Sequence, residues 1–378
     1  MIQRHHMPAI HRLMAAAVCF FLSESASLAA TEPPSSPAGA SLTPLGTQPD
    51  WEKLASYARS TTESELRQAL EAIYLEPSRY PVQWTIAPEG LKIQTGVPQK
   101  PEIVVPLARA GEPLTSPPRF WRRASELPAL KNRPPLSDLH IAIDPGHIGG
   151  AYAVMEERFL SFAPGAAIHE GDLSLLTARI LAERLKALGA YVTLVRQHAA
   201  PVTSKSPSDF RALAVNILRD AGFTAPADSY AGIQGEARLL TIQWQSEKLF
   251  YRVAEIHARA DKVNTEIKPD VVLCLHYNAE SWGDAAAPQF SEANHLHLLV
   301  NGCYSPAEIA LQDTRFELFS RLLGRIHEEQ IPLALELAGS LAASTGPPPY
   351  TYSTPNALPV AGSPYVYARN LLANRIYQ

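Results

Sequence analysis

The chain has 378 residues, enough for one large domain with a small companion. Its 33 Lys and Arg against 37 Asp and Glu give a net charge of -4, so the basic excess of a nucleic-acid binder is excluded, and so is long-range steering of an anionic polymer. The composition is otherwise that of an ordinary globular protein, apart from 33 prolines.

Residues 1–29 have the layout of a secretory signal peptide. Arg4 and Arg12 supply the positive start, and residues 13–22 form an apolar core too short to span a bilayer. Ser27-Leu28-Ala29 offers small residues for cleavage. No later segment is apolar enough to cross a membrane, so export to a periplasm or beyond is expected, with no stable membrane insertion after cleavage. Residues 30–49, rich in Pro, Ser, Thr and Gly, are expected to be a flexible linker.

Residues 50–108 predict a small α+β module. Trp51, Leu54 and Tyr57 have helical spacing, and Thr62-Glu-Ser-Glu65 is a capping box ahead of Leu66, Leu70 and Ile73. Residues 84–86 and 91–95 alternate as strands around Pro88-Glu-Gly90, and 102–107 offer a third strand. No binding motif appears here, which favours a structural brace over a wall-targeting role. Residues 109–135, rich in proline and basic side chains, are a connector expected to lie on the domain that follows.

That domain, 136–378, begins with an apolar strand at 139–143. Asp144-Pro-Gly146 stops it at its carboxyl end, where ligands bind in open α/β sheets. His147 follows. A loop is expected at 151–167, containing Glu156 and Glu157. Glu170 stands just ahead of a periodic segment, where Asp172 is expected to cap a helix whose apolar stripe is Leu173, Leu176, Ile180 and Leu188. Gly189 ends the helix, and 190–195 form the next strand. Strand, helix and strand at this length predict a βαβ unit in a parallel sheet. The expected fold class is therefore α/β: a twisted, mostly parallel sheet flanked by helices, preceded by the small α+β module.

Residues 197–248 are a long connection, either a lid beside the site or surface decoration. A helical pattern returns at 253–267, and a second apolar strand, 271–275, ends at His276. Two histidines and a carboxylate at three element boundaries (His147, Glu170 and His276) suit a catalytic Zn²⁺ with a fourth position open to water. Rival donors are Glu156, Glu157 and the pair His295-Leu-His297, whose i, i+2 spacing puts both rings on one strand face. His169, next to Glu170, is expected to be outside the ligand set. Cys274, inside an apolar strand, is expected to be a buried thiol and not half of a disulfide with Cys303. Helices are expected at 316–326 and 332–342.

Four segments in order resemble the zinc-dependent N-acetylmuramoyl-L-alanine amidases that carry a D-P-G-H-G-G motif. Asp144-Pro-Gly-His-Ile-Gly-Gly150 looks like that motif with Ile148 added or substituted. Glu170-Gly-Asp-Leu-Ser-Leu175 is similar to the family's E-K-D-x-N-L, and Leu188-Gly-Ala-Tyr-Val-Thr-Leu-Val-Arg196 to its L-G-x-x-V-x-x-T-R. Leu275-His-Tyr-Asn-Ala279 is similar to its I-H-x-N-A. Arg259-Ala-Asp-Lys-Val-Asn264 is similar to its R-x-x-x-x-N stretch, and residues 364–370 to the segment leading to its last strand.

The resemblance implies peptidoglycan as substrate and partner, and cleavage between N-acetylmuramic acid and L-alanine. It implies His147, Glu170 and His276 as zinc ligands, and Asn278 near the substrate. The family's general-base glutamate would lie about ten residues past 370, and no glutamate follows Glu336 in this sequence. The expectation is a catalytic domain cut short at its C-terminal end. The alternative is an inactive zinc-binding relative that binds or regulates the wall.

Overall fold

The structure is a computed structural model that describes residues 42–77, 83–129, 131–163, 166–277 and 292–370. The expected signal peptide, most of the expected linker, Asn278 and residues 371–378 lie outside the described residues. The architecture is mixed α/β and contains a parallel sheet.

The capping box forms as its residues dictate. Glu65 N–H donates to Thr62 Oγ1 at 3.3 Å, and Thr62 N–H donates back to Glu65 Oε2 at 2.9 Å, starting α1 (Glu63–Ala69). Strands β1 (Trp84–Ala87), β2 (Gly90–Val97) and β3 (Lys100–Val105) follow as an antiparallel sheet. One short helix cannot cover one face of that sheet, and the module keeps no core of its own. Leu66, Leu91 and Ile93 share one buried cluster with Leu298, Phe319 and Val366 from the far end of the chain. Backbone bonds stitch the two together: Cys303 N–H donates to Ile73 O and Tyr304 N–H to Tyr74 O, both at 2.7 Å. Gly302 permits this approach, because a Cβ there would lie 2.2 Å from Ile73 O. The connector lies across the next sheet, with Arg122 Nε donating to Asp270 Oδ1 at 2.9 Å.

Strand β4 (His140–Pro145) is the centre of that sheet. The expected loop at 151–167 instead holds an antiparallel hairpin, β5 (Phe159–Ala163) and β6 (Ala166–His169). Helix α2 (Glu170–Ala187) crosses over to β7 (Tyr191–Leu194), which pairs with β4 in parallel, giving the expected βαβ unit. The expected stripe is corrected, however. Gly171, Ser174, Leu175, Ala178 and Ala182 are buried, whereas Leu176, Ile180 and Leu188 are 50%, 36% and 44% exposed. Small side chains let the helix approach β4 closely, and Ser174 can go inside because its hydroxyl donates to Gly146 O at 2.6 Å.

The long connection contains α3 (Arg211–Asp220) and runs into α4 (Ile242–Lys248) and α5 (Glu255–Asp261), joined by a π turn at Leu249–Ala254. Ile217, Leu218 and Phe250 enclose Ile148, at 0% exposure, in one cluster. The insertion thus packs against the back of the His147 turn. β8 (Val271–Leu275) joins β4 on its other side, also in parallel. β9 (Leu298–Asn301), α6 (Pro306–Ala310), α7 (Gln312–Leu323) and α8 (His327–Thr345) come next. β10 (Leu358–Pro359) and β11 (Val366–Arg369) complete a second sheet, where β11 runs parallel to β9. Segment 364–370 therefore contains a strand itself. Cys274 and Cys303 are free thiols, the first half-buried and the second buried. Among the described residues no helix is long and apolar enough to cross a membrane.

Leu66 and Leu318 lie in the same cluster from opposite ends of the chain, both at 0% exposure. Leu66→Ala and Leu318→Ala are each expected to destabilise the fold by about 2–5 kcal/mol. Denaturant unfolding should move as one transition seen by probes in both halves. Two separated transitions would show independent cores.

Candidate metal centre

The site begins where β4 stops. Pro145 stiffens the turn, and Gly146 N–H closes it on Leu275 O at 2.8 Å. His147 then takes φ 57°, a left-handed backbone that costs a side-chain-bearing residue about 1–3 kcal/mol. Buried Arg259 holds it there. Its Nη1 donates to Asp144 Oδ1 at 3.0 Å and Pro145 O at 2.8 Å, its Nη2 to His147 O at 2.9 Å, and its Nε to Glu255 Oε1 at 2.7 Å. Arg196 Nη2 reaches Gly171 O at 2.8 Å and ties the start of α2 to the same turn. Burial, with Arg259 nearby, pushes that guanidinium down to about 10, so it keeps its charge at neutral pH.

The turn meets α2 glycine to glycine. A Cβ on Gly171 would lie 2.4 Å from Gly149 N, and Gly149 itself has φ 77°. Glu170, the first residue of α2, is thereby set beside His147, with Glu170 Oε2 3.2 Å from His147 Nε2. His276, just past β8, places Nδ1 3.3 Å from Glu170 Oε1. Its ring lies over Gly146, where a Cβ would fall 2.3–2.6 Å from three ring atoms. The two imidazoles are perpendicular, with centroids 5.1 Å apart. Tyr277 N–H also donates to Glu170 Oε1, at 3.0 Å.

The three donor atoms lie within 4.8 Å of one another, and the group can hold a metal ion. Two imidazole nitrogens and one carboxylate oxygen form a mixed N/O donor set. Burial by itself raises the Glu170 carboxyl, but the His147 charge and hydrogen bonds from both imidazoles outweigh it, and the group stays ionised. The two histidines move in opposite directions. Burial lowers both, but the Glu170 charge outweighs it at His147, while His276 stays low beside a charged neighbour.

The rival donors lie elsewhere. Glu157 pairs with Arg238. Glu156 faces Nδ1 of His147, on the ring edge away from Glu170. His169 Nδ1 sits 2.9 Å from Asp172 Oδ2, while Asp172 Oδ1 accepts Gly150 N–H at 3.0 Å. Asp172 is therefore not the N-cap expected of it: the helix starts at Glu170, and Asp172 lies within its first turn, bonded outward to the glycine turn. His295 and His297 stack on each other, 14° from parallel with centroids 5.5 Å apart, against Tyr350. Neither belongs to the metal-capable group found among the described residues. Asn278 lies outside those residues. Sequence reasoning missed the structural work of Arg196, Arg259 and Glu156. Arg196 and Arg259 were visible only as members of motifs. Comparison of the chain with known families, with curated proteins and with solved structures gives no match.

Gly146→Ala is expected to displace the His276 ring and empty the site. Metal stoichiometry by elemental analysis should fall from one per chain to near zero, and a fully loaded variant would show that the ring tolerates the methyl. A separate acid response is expected at His297. Burial lowers its pKa from 6.5 to about 3, so between those values the unfolded chain binds the extra proton and the folded chain does not. Stability should therefore fall as pH falls through that window. His297→Phe should show a smaller loss in denaturation midpoints measured from pH 7 to pH 4, and an unchanged slope would place the acid sensitivity elsewhere.

Proposed function

We propose that the chain is a zinc-dependent N-acetylmuramoyl-L-alanine amidase of peptidoglycan. The observation that carries this reading is the convergence of His147, Glu170 and His276 from three separate element ends. Their order and surroundings match the resemblance in the sequence. Ile148, the residue that parts this turn from D-P-G-H-G-G, is the one the insertion buries, which accounts for the departure. The parallel trio β7, β4 and β8 fits the middle of a larger twisted sheet flanked by helices.

Zinc suits the donors. Tetrahedral bonds of about 2.0–2.1 Å put neighbouring ligand atoms about 3.3 Å apart. Here His147 Nε2 lies 3.2 Å from one oxygen of Glu170 and His276 Nδ1 lies 3.3 Å from the other, and the three donor atoms fall within 4.8 Å of one another. When bound, zinc lowers the pKa of a coordinated water to about 7 and polarises a scissile carbonyl. Glu170, already ionised, supplies one negative charge to the centre, and two neutral imidazoles complete the set. Arg158 sets a fixed positive charge beside it, with Nε 3.7 Å from Glu170 Oε2. The proton carrier expected by the resemblance would lie about ten residues past 370, and no glutamate follows Glu336 in this sequence.

A muropeptide digest is expected to release free stem peptides. Free disaccharides or severed cross-links would sink the assignment, and zinc binding without any release would favour an inactive wall-binding relative. His276→Ala should lose most bound zinc, since two remaining ligands rarely hold it against water. His295→Ala and His297→Ala should keep it. An empty His297→Ala protein beside a full His276→Ala protein would move the site to the strand after His295.

A further inference from the structure

We infer that Glu156 is the positioning residue of His147, holding the ring so that Nε2 and not Nδ1 faces the metal position. Glu156 is 2% exposed. Its Oε1 lies 3.5 Å from His147 Nδ1, while His147 Nε2 faces Glu170. The same carboxylate accepts Ile148 N–H at 3.0 and 2.9 Å and Gly149 N–H at 3.1 Å. One side chain therefore fixes the ring of His147 and the backbone just after it. The loop that carries Glu156 folds back to do so, with Glu156 N–H donating to Tyr152 O at 2.9 Å.

An imidazole offers a metal one lone pair, and its other nitrogen must carry the proton. A carboxylate at Nδ1 keeps the proton there and makes Nε2 a stronger donor. The backbone of His147 cannot set this alignment by preference, because it sits in a left-handed conformation. Glu156 is not a ligand itself: it lies on the wrong edge of the ring, and backbone N–H groups occupy its oxygens. Nor does a simple brace need its charge. Burying a carboxylate is costly unless charge-assisted bonds offset it, and a neutral amide or hydroxyl would serve two backbone donors at lower desolvation cost.

The inference rests on His147 as a metal ligand, so the test measures binding and not turnover. Zinc affinity is read by competition with a chromophoric chelator on the full chain. Glu156→Gln is expected to weaken zinc by about 10–100-fold. Glu157→Gln makes the same charge change next door, where the carboxylate pairs with Arg238, and should stay within about twofold. Nitrogen NMR of the metal-free protein, recorded at a pH high enough that the His147 ring is neutral, should find its proton on Nδ1 in the parent and spread over both nitrogens in Glu156→Gln. Glu156→Asp keeps the charge with a shorter reach and should fall between, which covers the case in which the amide variant folds poorly. Parent-like affinity and tautomer in Glu156→Gln would overturn the inference even if the melting temperature drops, since that pattern describes a brace. A parent chain that binds no zinc would instead overturn the metal reading, and this inference with it.

Discussion

The guanidinium of Arg259 is the contact on which the site depends. Arg259 is 1% exposed, and it bonds to a carboxylate and two carbonyls of the β4 turn while pairing with Glu255. A buried charge is tolerated only when its donors are used, and here they are used on the segment that must be held in an unfavourable backbone conformation. Glu255 in turn accepts Val202 N–H at 2.8 Å and Thr203 N–H at 2.9 Å, so the same network anchors the start of the long connection. Loss of either partner would leave the other buried with fewer of its charge-assisted bonds.

Two apolar clusters divide the labour around this network. One joins the N-terminal module to α7, β9 and β11, and it contains none of the three metal-capable residues. The other surrounds Ile148 and packs the insertion behind the His147 turn. The first makes the N-terminal module and the elements from β9 to β11 one structural unit. The second makes residues 197–248 part of the support of the site. A long connection of this kind is folded because its helices carry apolar faces that find a partner, not because its local sequence is strongly ordered.

Electrostatics then shape what the cavity accepts. Glu170 is shared between two imidazoles and raises both, but burial outweighs it at His276 and not at His147. Nearby positive charge comes from Arg158, while Arg196 is turned to backbone carbonyls and Arg259 to carbonyls and the carboxylates of Asp144 and Glu255. Glu156 stands behind His147 without joining the three donors.

The sequence alone determined the local elements. The Thr62 capping box, the hairpin around Pro88-Glu-Gly90, and the β4–α2–β7 unit follow from short-range rules of hydrogen bonding and periodicity, and they form as those rules require. The three donors were legible too, because each stands at an element end. Tertiary structure decided what local patterns cannot encode. Bulky Leu176 and Ile180 suggested the inner face of α2, but close approach to β4 selected Gly171, Ser174 and Ala178 instead. Asp172 has a cap residue's chemistry, yet the neighbouring glycine turn took its carboxylate. Nothing near Glu156 or Arg259 in the chain reveals their partners. Arg259 bonds to residues more than 100 positions away, and Glu156 acts on its near neighbours only because the turn folds back. Burial and long-range pairing are properties of the assembled core, and only the folded chain fixes which polar groups it can satisfy.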